Sequence, residues 1–192
     1  MDPSLDGPSD REAGGSGLFL DLPKLCDLVQ PIVGEPLTGM FRALGQVFAF
    51  GEQRLNTNRR REETTLGDFH LKFICADWRV VQGGRVILGS SDHSNDERFY
   101  NSNEPPKFPY DAEAWRLGRG FLQSVEDCKF VAESIRVSQF ADVTIKLSDD
   151  LLIQSFGSSG QDLDLWWFHN RRTDVSCLVG PSGQHFGEAT RL

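Results

Sequence analysis

Asp92 and His93 are the residues best suited to acid–base chemistry, because they stand side by side where a predicted strand ends at Gly89. A carboxylate beside an imidazole can act as general acid and base when other groups converge on the pair, and His70 would complete an Asp/His hydrolase site. Ser, Asp and Asn around these positions are also frequent turn residues, because their side chains bond nearby backbone amides. The sequence therefore favours a structural turn at Asp92 and His93.

The remaining histidines and the cysteines show no ligand spacing. The chain has 4 His and 4 Cys, all scattered, whereas zinc sites need such residues at closely matched intervals. The segment 157–160 (Gly-Ser-Ser-Gly) matches neither a phosphate-binding loop nor a nucleophile elbow. The sequence thus predicts no metal and no cofactor, and it favours a non-enzymatic protein.

The most aromatic segment is 165–169 (Leu-Trp-Trp-Phe-His). Successive side chains of a strand point to opposite faces, so Trp166 and Phe168 share one face and Trp167 lies on the other. We expect one face to pack inward and the other to be covered by a helix, a loop or a partner. Trp166 and Phe168 are candidate binding residues, because aromatic side chains dominate interface hot spots.

Trp78 and Arg79 form a second candidate. Alternation sends Trp78 to one face, where it can anchor the core, and Arg79 to the other. Asp92, at the end of the next hairpin strand, is the expected partner of Arg79, and fold-stabilising pairing is favoured over anion recognition. If the sheet curls, Trp78, Arg79 and Trp167 would line a small-ligand pocket.

These residues are predicted to lie on short strands divided by turns. His70 should point to solvent or to a partner, opposite the apolar face of its strand. We expect a helix at 22–29 with Asp21 as its N-cap, a hairpin at Gly83-Gly84, a polar loop over 52–67 and a helix over 112–123. The fold class is α+β: a mainly antiparallel β-sheet, a meander or a curled half-barrel, with one or two short covering helices.

Composition limits the domain organisation and the partner. Residues 1–17 are rich in Gly, Ser, Pro and Asp and predict a disordered tail, with a single domain over 18–192. The net charge of −8 and the pI of about 5.0 predict no nucleic-acid binding. Neither an export signal nor a membrane span is indicated, so the expected location is the cytoplasm.

Three strand motifs carry a resemblance. Residues 48–51 read Phe-Ala-Phe-Gly, 75–79 read Cys-Ala-Asp-Trp-Arg and 89–92 read Gly-Ser-Ser-Asp. With these Phe-Gly, Cys-x-x-Trp-Arg and Gly-Ser-x-Asp motifs in this order, the chain resembles a family of uncharacterised small bacterial proteins. The family has no established chemistry, and the resemblance implies an accessory or immunity-type protein.

Three functions follow in order of preference. The first is a non-enzymatic protein–protein interaction protein, such as an immunity-like inhibitor or accessory protein, whose acidic charge steers it onto another protein. The second is a small-ligand-binding domain with the pocket near Trp78, Arg79 and Trp167. The third is the Asp/His hydrolase. The sequence leaves the identity of the partner and the oligomeric state open.

Overall fold

The computed structural model describes residues 20–42, 44–57, 63–90, 112–157, 163–180 and 183–188. The predicted tail over 1–17 lies outside these ranges, as do Asp92 and His93. The tail and the turn at Asp92 therefore stay predictions.

Within these ranges the secondary structure is mostly antiparallel strand, and the predicted α+β class is confirmed. The helices are α1 (Leu22–Val29), which continues into a 3-10 turn (Gln30–Ile32), and α2 (Ala112–Glu126). The strands are β1 (Leu37–Arg42), β2 (Gln46–Phe50), β3 (Arg54–Thr57), β4 (Glu63–Leu66), β5 (Phe69–Phe73), β6 (Asp77–Gln82), β7 (Arg85–Gly89), β8 (Ala132–Val137), β9 (Val143–Leu147), β10 (Leu151–Phe156), β11 (Trp166–Asn170), β12 (Val175–Gly180) and β13 (Gly183–Glu188).

Most of these strands form two sheets. A six-stranded sheet has the order β1-β2-β5-β11-β12-β13, and a five-stranded sheet has the order β7-β6-β10-β9-β8. Side chains from both sheets join one hydrophobic core, in which the Phe48 and Trp78 rings meet edge to face with centroids 5.6 Å apart. No closed barrel forms among the described strands.

Each helix lies against edge strands of both sheets. Helix α2 contacts β1 and β7, and α1 contacts β8 while its Lys24 ammonium lies 3.9 Å from the ring centroid of Phe186 in β13. Asp21 caps α1 by accepting a hydrogen bond from the Lys24 amide at 3.2 Å, as the sequence predicts. No helix within the described part of the chain has the length and apolar character needed to cross a bilayer.

The predicted hairpin at Gly83-Gly84 is confirmed, since both residues have positive φ angles of 56° and 78° and join β6 to β7. The predicted loop over 52–67 is wrong, because β3 and β4 pair there as a two-stranded sheet. This hairpin shows no apolar alternation, and Leu55 is 65% exposed. Backbone pairing and an Arg54–Asp68 ion pair of 2.9 Å hold it instead.

Candidate functional site

Three of the aromatic residues selected from the sequence lie in the core. Trp78 is 5% exposed, which confirms its predicted burial, while Trp166 and Phe168 are fully buried. Phe168 stacks on Phe69 with ring centroids 6.4 Å apart. Trp166 and Phe168 therefore pack in the core of the chain, and the binding role expected of them stays a prediction without an exposed side chain to carry it.

Arg79 lies on the opposite, exposed face of β6, as the alternation predicts. Its Nε donates a hydrogen bond of 2.9 Å to Gln154 Oε1 on the neighbouring β10, and its Cζ lies 4.7 Å from the ring centroid of Phe156. The expected partner Asp92 lies outside the described residues. Within the described residues, Gln154 and Phe156 rather than a carboxylate fix the position of the guanidinium.

Exposed apolar side chains occur at Phe156, which contacts this arginine, and on two segments next to the end of β10. Phe140 is 68% exposed, Leu163 46% and Phe156 39%. The Phe140 carbonyl oxygen lies 3.2 Å and Leu165 Cδ1 3.4 Å from where a Cβ on Gly157 would stand, so the loop bearing Phe140 and the segment 163–165 both adjoin the end of β10. We call Arg79, Phe140, Phe156 and Leu163 the aromatic–arginine patch.

Hydrogen bonds fix the loop that carries Phe140. The Ser138 hydroxyl accepts from the Phe140 and Asp142 amides, both at 3.1 Å, and it donates to Asp142 Oδ2. Asp142 Oδ1 accepts from the Gly157 amide at 2.8 Å. From below, Trp166 Nε1 donates to the Ala141 carbonyl at 2.8 Å. The exposed Phe140 side chain therefore lies on a loop that hydrogen bonds keep ordered.

A cavity of about 200 Å³ lies at the start of β6. Trp78, Gln46, Cys75, Asp77 and Ser90 are among its lining residues, and Asp77 pairs with Phe156 across the β6–β10 ladder. Arg79 and Trp167 do not line this cavity, so the pocket expected near Trp78, Arg79 and Trp167 stays a prediction.

Gln46 gives this cavity one fixed polar wall. Its Nε2 donates to the Phe41 and Val47 carbonyls at 3.2 and 3.1 Å, which sets the orientation of the amide. Reversing the amide would place oxygen against two carbonyl oxygens. Oε1 is consequently buried without a hydrogen-bond partner in the described part of the chain.

No protein-family model matches the chain, and no curated protein or solved structure matches it significantly. The resemblance to the bacterial family stays a prediction, and function has to be inferred from the side chains themselves.

A second polar group lies on the outer face of the six-stranded sheet. His70 faces away from the apolar face of β5, but its predicted exposure is wrong, since it is 8% exposed. Burial lowers its pKa to about 4, helped by the charge of Arg171 and by His169, so the ring is neutral at pH 7. A central strand between bulky neighbours buries both of its faces, which the alternation of one strand does not reveal.

Among the described residues, the ring contacts of His70 involve other side chains than those expected for a hydrolase site. Its ring meets that of His169 edge to face with centroids 6.2 Å apart, and His169 Nε2 lies 3.2 Å from Asp174 Oδ1. Burial lowers the pKa of His169, and Asp174 opposes this shift. The described residues contain no group of three or more His, Cys, Asp or Glu that could hold a metal ion. The hydrolase hypothesis stays a prediction, because Asp92 and His93 lie outside those residues.

A third polar cluster stabilises the fold. Asp68, 1% exposed, forms ion pairs with Arg54 at 2.9 Å and Arg172 at 2.8 Å, and Arg172 also reaches Glu35 at 2.7 Å. These contacts tie the β3–β4 hairpin and the turn after β11 to the start of β1. Every charge here has a partner within the cluster, so we assign it a structural role.

Sequence reasoning found Arg79 but missed the apolar members of the patch. The alternation of β10 places Gln154 and Phe156 outward, and this was the available signal for Phe156. Phe140 and Leu163 are single apolar residues in polar segments, which carry no such signal.

Proposed function

We propose that this chain is a non-enzymatic protein-interaction protein that binds another protein through the aromatic–arginine patch, and that its concrete form is an immunity-like inhibitor or accessory protein. The observation that carries the proposal is Arg79 stacked on Phe156 beside Phe140, whose side chain is 68% exposed. Arginine and aromatic residues are enriched at interface hot spots.

The rigidity of the patch supports the proposal. The Ser138–Asp142 network holds the loop of Phe140, and Gln154 holds Arg79. A surface that is already ordered loses less conformational entropy on binding than a mobile one. An exposed phenylalanine on an ordered loop therefore costs little to dock.

The size of the cavity at Trp78 favours a protein partner over a small ligand. Its volume is about 200 Å³. Pockets that enclose drug-sized ligands run from roughly 300 to 1,000 Å³. The cavity therefore accommodates a very small molecule or a single side chain, which a partner protein would supply.

The test compares wild type with Phe140→Ser. Each is immobilised and exposed to an extract of the native organism, retained proteins are identified, and the best candidate is purified for titration calorimetry. We expect one protein to bind wild type saturably and at least tenfold more weakly to Phe140→Ser. Leu55→Ser is the matched control, because Leu55 is 65% exposed but lies on the β3–β4 hairpin.

Two outcomes would count against the proposal. One is equal affinity of the purified partner for wild type and Phe140→Ser. The other is the absence of any partner that binds wild type saturably, together with turnover of a small molecule by the purified chain.

A further inference from the structure

We propose that Arg79 recognises a carboxylate, an Asp or Glu side chain flanked by apolar residues on the partner protein. The inference rests on the proposed function and adds the chemistry of the partner. It makes Arg79 the residue that determines specificity, whereas Phe140, Phe156 and Leu163 supply apolar contact.

Among the described residues, the guanidinium of Arg79 is oriented but is not paired with a carboxylate. Its Nε donates a hydrogen bond of 2.9 Å to Gln154 Oε1. One face of the guanidinium plane covers the Phe156 ring, with Cζ 4.7 Å from the ring centroid. An arginine has five N–H donors, and no residue in the described ranges accepts from the four on the two Nη atoms of Arg79. That edge matches the two oxygens of a carboxylate in a bidentate pair.

Other positioned arginines in the described ranges have their hydrogen-bonding edge occupied. Arg172 is paired with Asp68 and Glu35, and Arg171 Nη1 donates to the Leu66 and Gly67 carbonyls at 3.1 and 3.2 Å. Arg79 is also positioned, but its contacts in the described ranges are a neutral amide and a ring. An arginine held in this way loses less side-chain entropy when an anion binds.

The surroundings of Arg79 favour a carboxylate with apolar neighbours. Phe140 and Leu163 would exclude water from the docked pair, which strengthens its electrostatic attraction. Asp77 precedes Arg79 on the same face of β6 and opposes an anion, although its Oδ1 already accepts from the Ser90 hydroxyl at 3.0 Å. Asp77 pairs with Phe156 across the β6–β10 ladder and so lies at the same end of the patch as the loop of Phe140, which means that a docked carboxylate has to sit closer to the Arg79 Nη atoms than to Asp77.

The net charge of −8 does not contradict this local preference. Charges more than about 8 Å apart are largely screened at physiological ionic strength, whereas a contact pair is not. The overall charge acts on the approach of the partner, and Arg79 acts on the docked segment.

The test is selection of a random twelve-residue peptide library displayed on phage against the full chain. Enriched peptides should carry Asp or Glu beside aromatic or aliphatic residues. A synthetic copy of the best peptide should bind wild type at least tenfold more tightly than its Glu→Gln or Asp→Asn version. Arg79→Gln should abolish that discrimination, and Arg79→Lys should recover only part of it, because lysine lacks the planar fork.

Arg136→Gln is the matched control. Arg136 is exposed and shares a cross-strand row with Arg79 through Gln154 and Thr144, so that two strands, β10 and β9, lie between the two arginines on the same face. It should leave both affinity and discrimination unchanged. Thermal unfolding of each variant verifies that the fold is intact.

The outcomes separate the two proposals. Peptides that need Phe140 but show no acidic preference would overturn the role of Arg79 and leave the interaction surface standing. Selection that yields no peptide sensitive to Phe140→Ser would overturn both. An equal loss of peptide affinity in Arg79→Gln and Arg136→Gln would show non-specific electrostatic attraction and contradict the inference. A phosphoserine peptide that binds tenfold more tightly than its Glu counterpart would also contradict it, because the preferred ligand would then be a phosphate.

Discussion

Trp78→Ala should lower the free energy of unfolding by about 3 to 5 kcal/mol, the usual cost of deleting a buried ring. Trp78 is 5% exposed and meets Phe48 edge to face at 5.6 Å. A buried Trp removes on the order of 200 Å² from water, which at about 25 cal/mol per Å² gives roughly 5 kcal/mol, less the part that alanine retains. The ring pair adds about 0.5 to 1.5 kcal/mol. Because the ring already lines a cavity of about 200 Å³, water can fill the vacated space, so we expect about 4 kcal/mol.

Urea unfolding followed by far-UV circular dichroism measures this change without depending on tryptophan fluorescence. The midpoint should fall at an unchanged slope, and the melting temperature should drop by roughly 8 to 16 °C for a loss of about 4 kcal/mol in a chain of this size. Trp167→Ala is the control, since Trp167 is half-buried on the outer face of the six-stranded sheet and should cost less than half as much. A loss below about 1 kcal/mol for Trp78→Ala would refute the packing argument and assign the ring to the binding surface.

Three further changes test polar groups. Burial lowers the pKa of His70 from 6.5 to about 4, so the unfolded chain binds more protons than the folded chain between these pH values. The contribution of His70 to stability should be complete above pH 6.5 and fall by on the order of 3 kcal/mol towards pH 4. His70→Phe should flatten this pH dependence in urea midpoints measured across the range. Burial also raises the pKa of the Cys177 thiol to about 11. Iodoacetamide at pH 8 should therefore label half-buried Cys75 in the folded chain but label Cys177 only after unfolding. Equal labelling rates for the two cysteines in the folded chain would contradict the burial of Cys177. Asp68→Ala should lower the free energy of unfolding by about 2 to 4 kcal/mol, as measured by thermal unfolding. This is near the lower end for a broken buried ion pair, because the two arginines left without Asp68 are partly exposed and can rehydrate. An unchanged melting temperature would show that the cluster does not contribute to stability.

Local signals predicted the elements that depend on local physics. The Asp21 cap and Pro23 mark the start of α1, and the buried Leu25 and Val29 are one turn apart on its inner side. The positive φ angles at Gly83-Gly84 explain why a two-residue hairpin was predictable. Each of these features is complete within a few residues of sequence.

The patch could not be predicted in the same way, because its members meet through non-local pairing. Arg79 reaches Gln154 and Phe156 only after β6 pairs with β10 in one particular register, across a sequence separation of 75 residues between Arg79 and Gln154. Phe140 joins them through a loop whose position depends on Asp142. The prediction that His70 is exposed failed for a related reason, because the burial of its side chain depends on which strands flank β5.

Trp166 connects the core to the proposed binding surface. The sequence assigned it to binding because it is aromatic, and the structure buries it completely. Its Nε1 nevertheless donates to the carbonyl of Ala141, a non-glycine residue with a left-handed φ of 66°, a conformation that needs support from its surroundings. Phe140 immediately precedes that residue. Trp166 thus acts on the patch by positioning and not by contact: the same side chain that fills the core fixes the backbone from which the most exposed aromatic of the patch projects.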